Sequence, residues 1–244
     1  DLHYPLRRQR QMCIRDRIPV NHIEGHVSAN FLTTQDLEPP FVCLVVSGGH
    51  SHLVRVNDYG DYTLLGQTVD DAAGEAFDKA ARVLGLTYPG GPQLSRLAQC
   101  GDDAYLSLPH PHADGPYDFS FSGLKTAFLN ACHKMEQKGQ PLPRADLAAS
   151  FERAVVDTLC ERSLAALEDS GLKTLCLAGG VSANRRLRQR MSEHAKRRRF
   201  RLCMPEVGLC TDNAAMIACA AYYRLRRGAL ADLTLNARPA LRLA

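Results

Sequence analysis

The chain of 244 residues is 45% hydrophobic and 23% charged, a globular balance that excludes an intrinsically disordered protein. No apolar run approaches the roughly 20 residues that cross a bilayer, so no membrane protein is expected. The net charge of +4 is mildly basic, and the nine cysteines form no CxxC pair. That usage indicates reduced, buried thiols of a cytoplasmic protein rather than a disulfide or zinc-ribbon framework.

Residues 1–17 hold five arginines and show neither an apolar period nor turn residues. We expect them to be a leader outside the domain, disordered or foreign to it. From residue 18 onward, apolar strands alternate with amphipathic helices, which predicts an α/β layered fold. The three early strands predict an antiparallel meander. The clearest predicted helices are residues 21–32, 71–84, 146–168 and 212–227, and the predicted strands are 41–46, 53–56, 62–66, 174–180 and 199–205.

The first predicted helix opens with Asn21 as N-cap and carries His22 and His26 on one face. This spacing allows two imidazoles to bind a single metal ion. Glu24 lies between them, but not at the position of the general base in an HExxH metallopeptidase. Asp212, at the start of the last helix, is a candidate third ligand, although an aspartate there is also typical of a helix cap. Two histidines and one carboxylate suit Fe(II) or Zn²⁺ acting as a Lewis acid.

Two glycine turns directly follow apolar strands, at residues 47–50 and 179–184. Each is compatible with an ordinary tight turn, but together they can present backbone N–H groups to one anion from two sides. After the first turn, His50 and His52 share one strand face. After the second, Ser182 is expected to cap the next helix, with the Asn184 amide within reach of a ribose or base.

Four acids fall within residues 70–78. Those at the helix start have a routine explanation in the helix dipole. Asp78 lies beyond the first turn, so the dipole does not account for it. A carboxylate at this position, followed by the turn at Gly90 and Gly91, is suited to bind ribose hydroxyls.

The strongest charge bias lies in residues 185–201, which hold nine cations. Such a run is usually a solvated helix face. It is also the pattern expected of a surface that contacts RNA phosphates. Charge alone leaves both interpretations open.

Six motifs occur in the order NHIEGH, LVVSGGHSHL, DDAAGEAFDKAARVLGLTYPGGP, DFSFSGLKTA, LAGGVSANRRLR and CTDNAAMIA. From about residue 18 to the C-terminus, they resemble the bacterial tRNA N6-adenosine threonylcarbamoyltransferase family. The resemblance implies a two-lobed, actin-like, Hsp70-type ATPase fold. It also implies transfer of a threonylcarbamoyl group from threonylcarbamoyl-AMP to N6 of adenosine 37 in tRNAs that read ANN codons.

The resemblance further implies a role for each matching residue. One divalent metal, Fe(II) in preference to Zn(II), is implied at His22, His26 and Asp212. The implied partners are tRNA, an inert paralogue of the same fold and a small P-loop ATPase, all in the cytoplasm without a membrane. The residues implied to hold the adenylate, or to face it near the metal, are Val45, Val46, Ser47, Gly48, Gly49, His50, Asp78, Gly91 and Asn184.

The chain departs from the family in its N-terminal region, where a GIETSCDET-like strand–turn–strand is expected as the phosphate hairpin of the first lobe. We therefore expect residues 18–40 and 212–244 to be a remnant of the first lobe that carries the metal ligands. Residues 41–211 are expected to be the second lobe, with both glycine turns and a helical insertion. Exposed sheet edges and apolar faces would leave the chain alone poorly soluble or inactive.

Three other functions fit parts of the pattern. A metallopeptidase is suggested by the histidines but lacks HExxH. A non-catalytic paralogue, or an inactive scaffold of the same complex, would share the fold, yet both histidines, the SGG turn and the TDN aspartate are present here. A sugar kinase is compatible by analogy of fold alone.

Overall fold

The computed structural model describes residues 16–110, 113–238, 241 and 243. Residues 1–15 of the expected leader lie outside this part. Arg17 forms an isolated antiparallel bridge with Ala231, and its guanidinium donates to the Leu233 carbonyl at 2.9 Å. The strands are β1 (Phe41–Val46), β2 (Ser51–Asp58), β3 (Asp61–Gln67), β4 (Thr174–Ala178) and β5 (Arg201–Cys203). The helices are α1 (His22–Thr33), α2 (Ala73–Val83), α3 (Gly90–Ala98), α4 (Ser122–Gln137), α5 (Arg144–Asp169), α6 (Arg185–Arg198), α7 (Val207–Cys210) and α8 (Ala214–Arg226).

The five strands form one mixed sheet in the order β3-β2-β1-β4-β5. The first three form the predicted antiparallel meander, whereas β4 runs parallel to β1 and β5 runs parallel to β4. All six residues of β1 are buried, as expected of a strand covered on both faces. Because β1 and β4 are parallel neighbours, their carboxyl ends lie at the same edge of the sheet. This brings together two glycine turns that are far apart in sequence.

Helices cover both faces of the sheet, and each face has its own apolar core. Successive β1 side chains point to opposite faces, so they alternate between the two cores. Helices α2 to α6 cover one face, where they pack against Val42, Leu44 and Val46. Helix α1 covers the other face through Ile23, Val27 and Phe31, which pack against Phe41, Cys43 and Val45. The assignment of α1 and α8 to a first lobe stays a prediction.

Helices α1 and α8 pack directly against each other, and a buried ion pair joins them. A Cβ on Gly25 would lie 2.9 Å from Ile217 Cδ1, so glycine permits the close approach. Glu24 is 1% exposed, and its Oε2 lies 2.5 Å from Arg224 Nε of α8. Tyr62 of β3 donates to the other carboxylate oxygen at 3.3 Å. Glu24 therefore links α1, α8 and the edge of the sheet.

Three cysteines lie side by side across the sheet. Cys43 is in register with Cys176 of β4, which is in register with Cys203 of β5. All three belong to the core beneath α1. Every cysteine in the described part of the chain is a free thiol and most are buried, although Cys100 is exposed. The expectation of buried thiols is therefore confirmed for most of them.

The helix start after the second glycine turn differs from the prediction. Residues Gly180–Ala183 form a 3-10 turn that places Ser182 before the helix rather than at its cap. Asn184 is the N-cap of α6, and its Oδ1 accepts from the Leu187 N–H at 2.9 Å. Asn21 caps α1 as predicted, accepting from the Ile23 N–H at 2.8 Å. Across the described residues, no helix combines the length and the apolarity needed to span a membrane.

Asp70 caps the start of α4 and should contribute stability that depends on pH. Its carboxylate accepts from the Phe121 N–H at 2.7 Å and from the hydroxyls of Ser120 and Ser122 at 2.5 and 2.7 Å. Burial acts to raise the pKa of Asp70, but these hydrogen bonds outweigh it and hold the pKa below the usual 3.8. A carboxyl whose pKa is lower when folded stabilises the protein above its unfolded pKa. That contribution is lost as the pH falls through the folded pKa.

We therefore expect Asp70→Asn to lower the free energy of unfolding by about 1 kcal/mol at neutral pH. The difference from the parent should shrink as the pH falls below about 4. Urea titrations across this range measure it, with Asp61→Asn at the exposed sheet edge as control. A difference that is constant with pH would contradict the role of the charge.

Candidate metal centre and adjoining cavity

The structure brings together the three predicted metal ligands, His22, His26 and Asp212. One ligand atom from each lies within 4.8 Å of the others. Asp212 Oδ1 is 3.4 Å from His22 Nε2 and 3.2 Å from His26 Nε2. The two imidazole rings meet edge to face, with centroids 4.7 Å apart. One turn of α1 thus supplies two nitrogens, and the segment before α8 supplies an oxygen.

Asp212 is not the cap of the last helix. Helix α8 begins at Ala214, and Asn213 is its N-cap, accepting from the Met216 N–H at 2.9 Å. The Asp212 carboxylate is 75% exposed and directed to the histidine pair. Of the two interpretations that the sequence left open, the structure therefore favours the ligand.

The surroundings of His26 fit a metal ligand. The residue is 1% exposed; within the described residues its Nδ1 has no hydrogen-bond partner, and its Nε2 faces the Asp212 carboxylate at 3.2 Å. Buried polar groups need partners, and a metal held by Nε2 and the Asp212 carboxylate would satisfy both groups. Burial, with the charge of His22, lowers the pKa of His26 against the opposing effect of Asp212. The imidazole is therefore neutral near pH 7, as metal binding requires.

Glu24, by contrast, is not placed to act on a substrate. Its buried carboxylate is held by Arg224 and Tyr62. A general base must lie within hydrogen-bond reach of the proton that it removes. The structure therefore argues against the metallopeptidase interpretation.

A cavity of about 860 Å³ adjoins the cluster, a volume typical of small-molecule sites. Residues from the metal cluster, from both glycine turns and from α2 and α3 line it. Val45 and Val46 do not, because their side chains are buried in the two cores, so only their backbone is available to a ligand. The predicted residues in the lining are His26, Ser47, Gly48, Asp78, Gly91, Asn184 and Asp212, while His22, Gly49 and His50 lie outside it.

Close backbone contacts shape the two glycine turns. The Gly74 N–H donates to the Ser47 carbonyl at 3.2 Å, and a Cβ on Gly74 would lie 2.5 Å from that oxygen. Gly179 has φ +83°, and its Cβ would overlap the Val46 carbonyl oxygen. A Cβ on Gly48 or Gly49 would meet nothing within 4 Å. The first turn therefore borders open space, while Gly74 and Gly179 hold the surrounding backbone together.

Gly179→Ala is expected to destabilise the second turn. An L-residue at φ +83° and ψ 165° costs roughly 1–3 kcal/mol before the overlap with Val46 is counted. Chemical denaturation measures the loss. Gly123→Ala is the matched control, since a Cβ there meets nothing within 4 Å and alanine favours the helix α4. Equal stability of the two variants would contradict the steric argument.

Asp78 and Asn184 have partners that the sequence did not indicate. Asp78 Oδ1 accepts from the Gly90 and Gly91 N–H groups at 2.8 and 3.1 Å, which fixes the start of α3. Besides capping α6, Asn184 donates from Nδ2 to Glu152 Oε1 at 2.7 Å. Glu152 is 4% exposed and was not predicted. The sequence feature that could have indicated Glu152 is a carboxylate among the apolar positions of the predicted helix 146–168.

The rings of His50 and His52 lie beside each other, with centroids 5.3 Å apart, but β2 begins at Ser51, so His50 lies in the turn and not on the predicted strand face. Burial and the nearby charge of His22 lower the pKa of His50. Burial, with His50, lowers the pKa of His52 to about 4. Both rings are therefore neutral near pH 7. His50 does not line the cavity, although it contributes to the lowered pKa of His26.

Four of the eight arginines in the basic segment, residues 185–201, have acid partners within the described residues. Arg186 pairs with Asp103, and this bond joins α6 to the loop after α3. These pairs favour a structural role for that part of the segment. The other pairs are Arg190 with Asp157 at 3.6 Å, Arg198 with Glu168 at 3.3 Å, and Arg201 with Asp36 at 2.7 Å.

The fold is shared with solved structures of low sequence identity. Full-length HypF in its phosphate- and nucleotide-bound form has a TM-score of 0.65 at 13% identity, covering 85% of this chain and 42% of its own. HypF from T. kodakarensis has a TM-score of 0.67 at 13% identity, covering 86% and 37%. At this identity the likeness concerns the fold alone, and it confirms the predicted actin-like, Hsp70-type class.

Sequence comparison is more specific. The family model TsaD, tRNA N6-adenosine threonylcarbamoyltransferase, matches residues 15–219. The curated tRNA N6-adenosine threonylcarbamoyltransferase of Clostridium perfringens is 49% identical over 227 residues, 93% of this chain and 67% of the relative. That of Symbiobacterium thermophilum is 55% identical over 229 residues, 93% and 66%. The chain thus spans about two thirds of the length of these relatives, and it belongs to the tRNA N6-adenosine threonylcarbamoyltransferase family.

Proposed function

We propose that the chain transfers a threonylcarbamoyl group from threonylcarbamoyl-AMP to N6 of adenosine 37 in tRNAs that read ANN codons. One observation carries the proposal: two of the three metal ligands, His26 and Asp212, border the same cavity as both glycine turns. An acyl group near the metal and a phosphate at the turns would then belong to one bound molecule. The relatives that match nearly the whole chain are named tRNA N6-adenosine threonylcarbamoyltransferase, and the family resemblance supplies the donor, position 37 and the ANN codons.

We propose His22, His26 and Asp212 as the ligands of one divalent metal. Two imidazoles and one carboxylate suit either Fe(II) or Zn(II), and the preference for Fe(II) rests on the family resemblance. A metal at this place would supply Lewis-acid polarisation of a carbonyl oxygen. The convergence of buried His26 Nε2 and the Asp212 carboxylate, 3.2 Å apart, supports the assignment.

The remaining site residues are proposed to hold the adenylate. The turn at Ser47, Gly48 and Gly49, with the backbone of Val45 and Val46, would bind the phosphate together with the turn at β4. Asp78 and Gly91 are proposed to bind the ribose. Only Oδ1 of Asp78 is used by the start of α3, and within the described residues Oδ2 has no hydrogen-bond partner. Asn184 would contact the nucleoside, and His50 would face the ligand near the metal.

This arrangement suits the chemistry of the acceptor. An exocyclic adenine amine is a weak nucleophile, so the acyl group must carry a good leaving group, which AMP provides. The main contribution of the chain is then to hold donor and amine in contact, which is a large effect by itself. Base 37 lies in an unpaired loop, so its edge is accessible without opening a duplex.

Family resemblance also indicates the cellular compartment and the partner proteins of the reaction. We propose that the chain acts in the cytoplasm with an inert paralogue of the same fold and a small P-loop ATPase. These two partner proteins would supply further surfaces for contact with the tRNA, in addition to those of the described residues. Co-purification of the three tagged proteins tests this part of the proposal.

Mass spectrometry of nucleosides from an ANN-decoding tRNA tests the reaction. The protein is incubated with threonylcarbamoyl-AMP and Fe(II) or Zn(II), with and without the partner subunits. We expect the modified nucleoside to appear only when donor and metal are both present. Formation that is unaffected by a chelator would contradict the metal, and no formation under any of these conditions would contradict the function.

A further inference from the structure

The mouth of the cavity carries an aromatic ring that the proposed chemistry does not use. Tyr88, which precedes α3, lines the cavity although 86% of the residue is exposed. Tyrosines usually bury most of their ring, because the ring contributes a large apolar area. A ring left in solvent at a cavity mouth offers a π-face to an incoming molecule.

Two arginines line the same cavity. Arg96 lies in the last turn of α3, and Arg185 is the first residue of α6. In the part of the chain that the structure describes, neither forms an ion pair. Arg96 donates to the Pro92 carbonyl at 3.4 Å and Arg185 to Gln99 Oε1 at 3.0 Å, both neutral acceptors. Their charges are therefore uncompensated, unlike those of the acid-paired arginines farther along α6.

The proposed binding of the small substrate does not require Tyr88, Arg96 or Arg185. The glycine turns, Asp78 and Asn184 already provide groups for a phosphate, a ribose and a base. An exposed aromatic ring beside uncompensated guanidinium groups is the combination that recognises unpaired RNA bases and their phosphates. The exposure of all three side chains favours a large polyanion that arrives from solvent.

We infer that Tyr88, Arg96 and Arg185 form a loop-docking surface for the anticodon loop of the tRNA. Tyr88 stacks on an unpaired base, and the two arginines contact the phosphates beside it. This inference rests on the proposed function and adds the place where the RNA meets the protein. Since adenosine 37 must reach the acyl group inside the cavity, the neighbouring nucleotides pass this mouth.

Binding of a fluorescent anticodon stem-loop RNA to the full chain tests the surface by anisotropy. Tyr88→Ala is expected to weaken binding roughly 5- to 100-fold, the usual effect of removing one stacking ring. Tyr88→Phe keeps the ring and should retain most of the affinity. Arg96→Gln and Arg185→Gln should each lower the slope of log affinity against log salt by about 0.7, as one lost phosphate contact predicts.

Lys196→Gln is the matched control, because it removes one exposed cation from the same helix without touching the cavity. An equal loss for Lys196→Gln and Arg185→Gln would overturn the surface in favour of non-specific attraction. Equilibrium dialysis with AMP is the second arm. If the variants weaken AMP binding as much as RNA binding, the three residues serve the nucleotide and the inference is wrong.

The same experiment separates the inference from the proposed function. If the parent forms the modified nucleoside while Tyr88→Ala, Arg96→Gln and Arg185→Gln bind the stem-loop as tightly as the parent does, the docking surface is wrong and the proposed function stands. If the parent neither binds nor modifies the RNA, both fail. Weaker RNA binding by the variants, with smaller changes for AMP and for Lys196→Gln, supports the inference.

Discussion

Replacement of Asp212 by asparagine, or of His22 by alanine, is expected to remove both metal binding and nucleoside formation with little effect on the fold. Outer-shell partners of metal sites are typically worth 10- to 100-fold in affinity, so loss of a direct ligand should cost at least about 100-fold. The two side chains are 75% and 48% exposed, so neither supports the core. Anaerobic titration with Fe(II) or Co(II) measures the affinity, and the nucleoside assay measures turnover.

His133→Ala provides the control for this prediction. His133 is exposed on α4 and does not line the cavity, so its removal tests any general effect of losing an imidazole. Circular dichroism establishes that each variant is folded. Affinity equal to that of the parent in both ligand variants would show that the metal binds elsewhere.

The second large effect is expected from Glu24, the buried carboxylate between the two histidines. Removing one partner of a buried ion pair leaves the other charge unpaired and typically costs about 3–5 kcal/mol. For a chain of this size, that corresponds to a fall in Tm of about 6–20 °C. Glu24→Gln should show this loss in thermal unfolding, because Arg224 would keep its charge without a counter-ion.

Two comparisons separate this effect from a general loss of charge. Glu193→Gln removes an exposed partner of Arg190 and should change stability by less than about 1 kcal/mol. The double variant Glu24→Gln/Arg224→Gln leaves no buried unpaired charge, so it should lose less than the sum of the two single variants. Additive losses would contradict a direct interaction. Because the pair joins α1 to α8, we also expect weaker metal binding in Glu24→Gln.

Local patterns were sufficient to predict the main elements. The helix 146–168 became Arg144–Asp169, and the three early strands formed their meander, because period and turn residues act over short distances. The histidine pair could be predicted for the same reason, since both residues occupy one face of one helix.

Contacts between distant residues could not be read in this way. Whether Asp212 is a cap or a ligand depended on a neighbour, since Asn213 takes the cap and leaves the carboxylate to the histidines. The partner of Asn184 is Glu152, which only the packing of α5 against α6 brings near. Apart from Glu193, the acid partners of the basic segment come from other helices and loops. Charge composition alone therefore could not separate a structural face from a contact surface for RNA.

The row of thiols across the sheet provides an internal reporter of unfolding. Cys43, Cys176 and Cys203 are at most 4% exposed, and they lie on three neighbouring strands of one core. An alkylating reagent can reach them only when that core opens, whereas Cys100 is accessible in the folded chain. Peptide mapping after a labelling pulse would therefore read the opening of the sheet from these three sites against Cys100 as an internal standard. The protein needs no engineered probe for such a measurement.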